Sequence, residues 1–149
     1  MNSHLPKIIG IDFGKVRLGI AVSDESKTIA FGRTVFKNDS KLFENISKIA
    51  ADENADTIVI GYPLNLKGNA TVQTEATKDF IQALAKYFSE KNLSHINIVK
   101  HDERLTSRMA SHSMLESGMK KKKRMDKSNI DIISAALILQ SFLDSRKNK

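Results

Sequence analysis

The chain has 149 residues, 40% of them hydrophobic, enough to bury the core of one ordinary globular domain without room for a second. With no cysteine it can build neither a disulfide framework nor a thiolate zinc site, so any metal site must use oxygen and imidazole. Lys and Arg outnumber Asp and Glu by 24 to 17, and a formal charge of +7 favours polyanionic partners.

The first seven residues lack the apolar centre of a signal peptide, and no apolar run approaches the ~18 residues of a membrane span, so a cytoplasmic location away from membranes is expected. Three strands then follow in quick succession: Lys7 to Asp12, Leu18 to Ser23, and Ile29 to Phe36. Phe13 to Arg17 forms the first turn, with Gly14 supplying freedom in φ, and Asp24 to Lys27 forms the second. Connections this short join antiparallel neighbours, which predicts a meander.

The period then changes. Asp39 or Ser40 can cap a helix carrying Leu42, Phe43, Ile46, Ile49 and Ala50 as one stripe. Thr57 to Gly61 reads as a buried strand stopped by Pro63, and a polar loop from Asn65 to Thr71 leads into a helix ending near Lys91. Its inner side carries Ala76, Phe80, Ile81, Leu84, Tyr87 and Phe88. A short strand from Ile96 to Lys100 comes next, then a helix from about Thr106 to Glu116, a basic loop, and a last helix from about Asn129 to Asp144. Strands separated by helices require parallel crossovers, so the expected architecture is an α/β domain over residues 1–149, its mixed sheet antiparallel at one side and covered by helices.

Three carboxylates stand at element ends. Asp12 closes the first strand, Glu103 follows the fifth, and Asp131 lies in the first turn of the last helix. Each has a structural alternative: Asp12 can initiate a turn, Glu103 can favour the start of the next helix, and Asp131 can complete a capping box opened by Ser128. Parallel strands would nevertheless deliver Asp12 and Glu103 to one sheet edge, and the last helix can bring Asp131 there. Gathered carboxylates repel by roughly 4 kcal/mol for a pair about 4 Å apart at an effective dielectric of ~20, a cost that a hard cation removes. Oxygen ligands select Mg²⁺ or Mn²⁺, and a pair of such ions can activate water and clamp a phosphodiester.

Arg17 and Arg104, beside these positions, can hold phosphate oxygens or form ion pairs with Asp24 or Glu103. The run Lys120, Lys121, Lys122, Lys123 and Arg124 can lie along a nucleic-acid backbone or be a solvated loop. There is no G-x-x-x-x-G-K-[ST], G-x-G-x-x-G or H-E-x-x-H, and His4, His95, His101 and His112 show no ligand-like grouping.

The segment from Ile11 to Asp24, IDFGKVRLGIAVSD, resembles the opening signature of the YqgF family, RuvC-like proteins known as Holliday-junction-resolvase homologues and pre-16S rRNA nucleases. Three further blocks agree in order: Val59 to Pro63 with Gly68, Asp102 to Ser107, and Asp131 to Ala136 leading into Ile138 to Gln140. Tyr62 and Ser107 depart from the family's usual leucine and threonine. The resemblance implies a ribonuclease-H-like fold with sheet order 3-2-1-4-5, Asp12, Glu103 and Asp131 as ligands of Mg²⁺ or Mn²⁺, and trimming of the 5′ end of the small-subunit rRNA precursor. Junction resolvases proper take their glutamate from after the fourth strand, whereas Glu103 follows the fifth. The expected partner is nucleic acid, pre-rRNA first and branched DNA second, with the protein a monomer or weak dimer. A DNA-junction resolvase and a non-catalytic ribosome-assembly module stand as alternatives. An actin-like ATPase would need two such units, and the chain has one.

Overall fold

A computed structural model describes residues 5–65, 67–104 and 127–147. The expected helix over 106–116 and the basic run 120–124 lie outside the described residues.

Five strands form one sheet: β1 (Lys7–Asp12), β2 (Arg17–Ser23), β3 (Ala30–Lys37), β4 (Ala55–Tyr62) and β5 (Asn97–Asp102), in the order β3-β2-β1-β4-β5. β1 to β3 form an antiparallel meander, and β4 and β5 run parallel to β1. The sheet is therefore mixed in the expected way, and β1, β4 and β5 all finish at one edge.

Strand alternation divides β1 between two hydrophobic clusters. Ile9 and Ile11 join Leu18, Ile20, Ile58 and Ile60 under α1 (Leu42–Asp52) and α2 (Val72–Glu90). Ile8 faces the other way and packs with Ala21, Val59 and a third helix, α3 (Lys127–Lys147), through Ala135, Ile138, Leu139 and Leu143. The α3 contacts recur at helical spacing, so one stripe is pressed onto the sheet.

How closely α3 can lie is set by small residues. A Cβ built on Gly10, Gly19, Gly32 or Gly61, one in each of β1, β2, β3 and β4, would collide with α3, and at Gly61 with the Glu103 side chain as well. Four neighbouring strands thus lack side chains where the helix crosses, and its backbone sinks onto the sheet. Gln140 secures it at the edge strand, accepting from the Ala30 N–H at 2.9 Å and donating to the Thr28 carbonyl at 3.0 Å.

Several local expectations are corrected. Among the described residues Gly68 is the glycine with positive φ, at 84°, so Gly14 does not serve the first turn by unusual φ. Its need is steric, because a Cβ there would run into the Arg17 carbonyl. The N-cap of α1 is Lys41 without a side-chain cap bond; Asp39 accepts instead from the Lys41 N–H at 3.0 Å, two residues too early to cap. At α2 a capping box joins Thr71 and Thr74, and Thr74 also donates to the Pro63 carbonyl. Thr74 and Thr77 are consequently buried, and Ala76 beside them is half-buried. The last helix spans Lys127–Lys147, so Ser128 lies within it and Asp131 falls in the second turn.

Candidate functional site

Asp12 ends β1 on the α3 face, two residues beyond Gly10. Its cross-strand partner on β2 is Gly19, and the missing Gly19 side chain is where the Asp131 backbone sits. On the other flank β4 pairs Ile60 with Ile11, which sets Gly61 level with Asp12. The Glu103 carboxylate lies over Gly61. Two glycines, one on each side of Asp12, thus admit the two other acidic residues. Glu103 is further held by its N–H, which donates to the Tyr62 carbonyl at 3.3 Å.

The electrostatics register this convergence. Burial pushes the Asp12 carboxyl up to about 7, and the charges of Glu103 and then Asp131 push in the same direction. The Glu103 carboxyl is also raised, by burial first and by Asp102 second. A buried carboxyl facing two others is an environment that a cation would relieve.

Asp131 is already partnered. Arg17, at the start of β2, donates from Nε to Asp131 Oδ2 at 2.5 Å, and both side chains are about a quarter exposed, at 27% and 24%. The ion pair anticipated for Arg17 with Asp24 or Glu103 is thus formed with Asp131. Among the described residues no three Asp, Glu or His side chains are gathered closely enough to hold one ion. The donor set nevertheless suits a hard cation: three carboxylates from different elements, one of them raised by burial first and by the charges of the other two second.

Arg104 is turned away from Glu103. It forks onto Asp102, from Nε to Oδ2 at 2.8 Å and from Nη2 to Oδ2 at 2.5 Å, and holds the Asp102 carboxyl below its ordinary value. Its guanidinium passes over Gly68, tying the loop after β4 to the end of β5. His101 packs as expected, sharing a 2.9 Å hydrogen bond with Ser141 and meeting the Phe142 ring edge-on at 5.9 Å. The glycines flanking Asp12 went unnoticed in the sequence, although glycine inside an apolar strand signals a close backbone approach.

A family model described as RuvX, Holliday junction resolvase, matches residues 6–145. A protein named "Putative pre-16S rRNA nuclease" from Amoebophilus asiaticus is 39% identical over 142 residues, 95% of this chain and 96% of that protein. One of the same name from Bacteroides thetaiotaomicron is 37% identical over 143 residues, 96% and 99% of the two chains. Among solved structures, T. thermophilus RuvC in complex with a Holliday junction substrate superposes with a TM-score of 0.61 at 10% identity, covering 97% of both chains. Fowlpox virus resolvase with its substrate Holliday junction DNA gives 0.55 at 12% identity, covering 94% and 98%. At such identities the two structures establish a shared fold, the ribonuclease-H-like arrangement that the strand order also describes.

Proposed function

The chain belongs to the RuvX family, and on that premise we propose that it is a single-domain, metal-dependent endonuclease acting on structured RNA, trimming the 5′ end of the 16S rRNA precursor. Phosphodiester hydrolysis and a nucleic-acid substrate follow from the family. The choice of precursor rRNA follows the names of the relatives that match nearly end to end. The observation that carries the metal-dependent reading is the placement of Asp131 at Gly19 and of the Glu103 carboxylate over Gly61, on either side of Asp12, an arrangement in which burial and the two neighbouring charges push the Asp12 carboxyl up.

Asp12, Glu103 and Asp131 are the residues that would hold Mg²⁺ or Mn²⁺. A divalent ion bound there would supply a water acidic enough to act as nucleophile near neutral pH and would offset charge on the phosphate. Asp12 and Glu103 contribute half-buried acceptors that form no ion pair with a basic side chain among the described residues. Arg17 keeps Asp131 paired and oriented. With Asp131 among the residues that would hold the ion, the Arg17 guanidinium would be available to fork onto phosphate oxygens at the same edge. Arg104, half-buried and anchored by Asp102, would give a second phosphate contact on the β5 side, and Lys120 to Arg124 would add sequence-independent affinity.

The test is cleavage of a 5′-extended 16S precursor by the purified protein with Mg²⁺ or Mn²⁺, beside an Asp12→Asn variant. Cleavage by the parent and none by the variant is expected; equal rates would overturn the assignment of Asp12. The family description favours a second reading, a DNA four-way junction as substrate. The same assay on an immobile junction separates the two, since the RNA reading predicts faster cutting of the precursor.

A further inference from the structure

On the sheet face opposite α3, a cavity of about 400 Å³ opens next to the candidate metal site. Phe13, the residue after Asp12, lines it together with Phe43 of α1 and Phe80 of α2. Phe80 is buried and forms the floor; Phe13 stacks on it with centroids 4.5 Å apart, and Phe43 tilts against it at 6.0 Å. The rim carries Asp39, Ser40 and Asp79. Asp39 uses one oxygen on the Lys41 N–H, whereas Asp79 is exposed and has neither hydrogen bond nor ion pair among the described residues.

The cavity is tied to the metal-site loop. Asn38 donates to the Gly14 carbonyl at 3.0 Å, and Gln73 donates to the Phe13 carbonyl at 3.2 Å. The segments entering α1 and starting α2 therefore both grip the two residues that follow Asp12, so the pocket and Asp12 keep a fixed spacing.

Charge narrows what can enter. The chain carries +7, yet the formal charges lining this cavity are both negative. A phosphate would be repelled here, while an uncharged aromatic ring bearing N–H donors would be attracted. In a protein whose partner is nucleic acid, that ring is a base unstacked from a single-stranded stretch, laid against aromatic side chains and read along its Watson–Crick edge. Guanine presents N1–H and N2–H side by side, the donor pair that one carboxylate accepts with both oxygens. Adenine and cytosine each place a single amino group beside an acceptor, and uracil places one N–H between two acceptors.

We propose that this cavity is a guanine-binding subsite, taking a base splayed from the substrate strand within about a nucleotide or two of the phosphate presented to Asp12. The pocket assignment stands on its own lining; its spacing from the cut bond rests on the proposed cleavage at Asp12. A guanine placed here fixes which phosphate lies over the carboxylates, and so gives sequence preference to a fold whose other contacts are to the backbone.

Binding is tested without cleavage, with the whole chain in EDTA and fluorescein-labelled decauridylates carrying one central guanosine, inosine, adenosine or cytidine, alongside the unsubstituted decamer. Fluorescence anisotropy should show the guanosine probe bound about tenfold more tightly than the all-uridine probe, with inosine, which lacks the 2-amino group, losing several-fold. The Asp39→Asn, Asp79→Asn double variant, altered at the rim and not in the core, should bind the all-uridine probe at least as tightly as the parent, two charges that repel phosphate having been removed, and should lose the guanosine preference. Equal affinity of the parent for all probes, a preference for adenosine or cytidine, or a preference surviving in the double variant would each overturn the proposal. Because no divalent ion is present, a failure of Asp12→Asn to stop cleavage would refute the metal-site reading and leave this result untouched.

Discussion

At the edge where β1 and β4 begin, Lys7 lies 3.6 Å from Glu53 and Lys27 lies 2.7 Å from Asp56. At the edge where the same strands finish, Asp12 faces Glu103 and Asp131, and the cation that reaches the trio among the described residues, Arg17, is bound to Asp131. The consequences are opposite for the same residue type. Burial raises the Asp56 carboxyl, but Lys27 and Thr57 overcome it and hold the group below its ordinary value; Asp12, buried among like charges, is pushed up to about 7. A strand end whose charges are paired contributes to the fold, whereas one left with excess like charge lowers stability and is retained for binding or chemistry.

The sharpest way to break this contrast is Asp12→Asn in the ion-free protein. Asp12 titrates near 7 in the fold and near 3.8 in the unfolded chain, so the folded form holds more protons across that interval. Its stability therefore falls as pH rises from about 4 to 7, and the full penalty is present above pH 7. Asp12→Asn removes the penalty. Chemical denaturation at pH 8 should find the variant more stable than its parent by up to about 4 kcal/mol, with little difference at pH 4. A variant less stable than its parent at pH 8 would mean that burial and the neighbouring carboxylates do not penalise the Asp12 charge.

Next in size is Gly19→Ala. A Cβ at Gly19 has no room beside the Asp131 backbone, so α3 must be displaced, at a cost of about 1–3 kcal/mol. Thermal unfolding measures that loss, and ion binding should weaken with it because Asp131 moves away from Asp12. Unchanged stability would show that α3 does not need the glycine floor.

These glycines mark where reading the sequence stopped short. β1 was legible to the residue, because Lys7–Asp12 is an apolar run closed by a turn, and the meander followed from the shortness of its two connections. Asp12 and Glu103 were legible as residues at strand ends, whereas Asp131, expected in the first turn of the last helix, lies in its second. Gly10, Gly19, Gly32 and Gly61 were not, because strand patterns are read from the side chains present, and these positions act by having none. The Arg17 to Asp131 pair joins residues 114 apart, and no local period reports a contact of that separation. Thr74 and Thr77 are buried because their hydroxyls bond to the Pro63 and Gln73 carbonyls, a polar use of an inner helix face that apolar periodicity passes over.

A smaller effect is expected from Arg17→Gln. Arg17 competes with a cation for Asp131, so in the absence of nucleic acid the variant should bind Mn²⁺ about tenfold more tightly by calorimetry, roughly 1.4 kcal/mol. It should also cleave RNA more slowly, having lost a phosphate contact. Unchanged or weaker ion affinity would show that the ion pair is not an obstacle to the metal.

The smallest effect should come from the paired edge. Asp56→Asn removes a partly exposed ion pair and should lower stability by no more than about 1 kcal/mol. Cleavage should proceed at the parental rate, and a large loss of activity would erase the distinction between the two ends of the sheet.

The most direct measurement is a calorimetric titration of Mn²⁺ into the parent, Asp12→Asn, Glu103→Gln and Asp131→Asn proteins without nucleic acid. Saturable binding by the parent and a marked loss of affinity in each variant is predicted. Parental affinity in all three variants would mean that these carboxylates, although neighbours, do not share an ion.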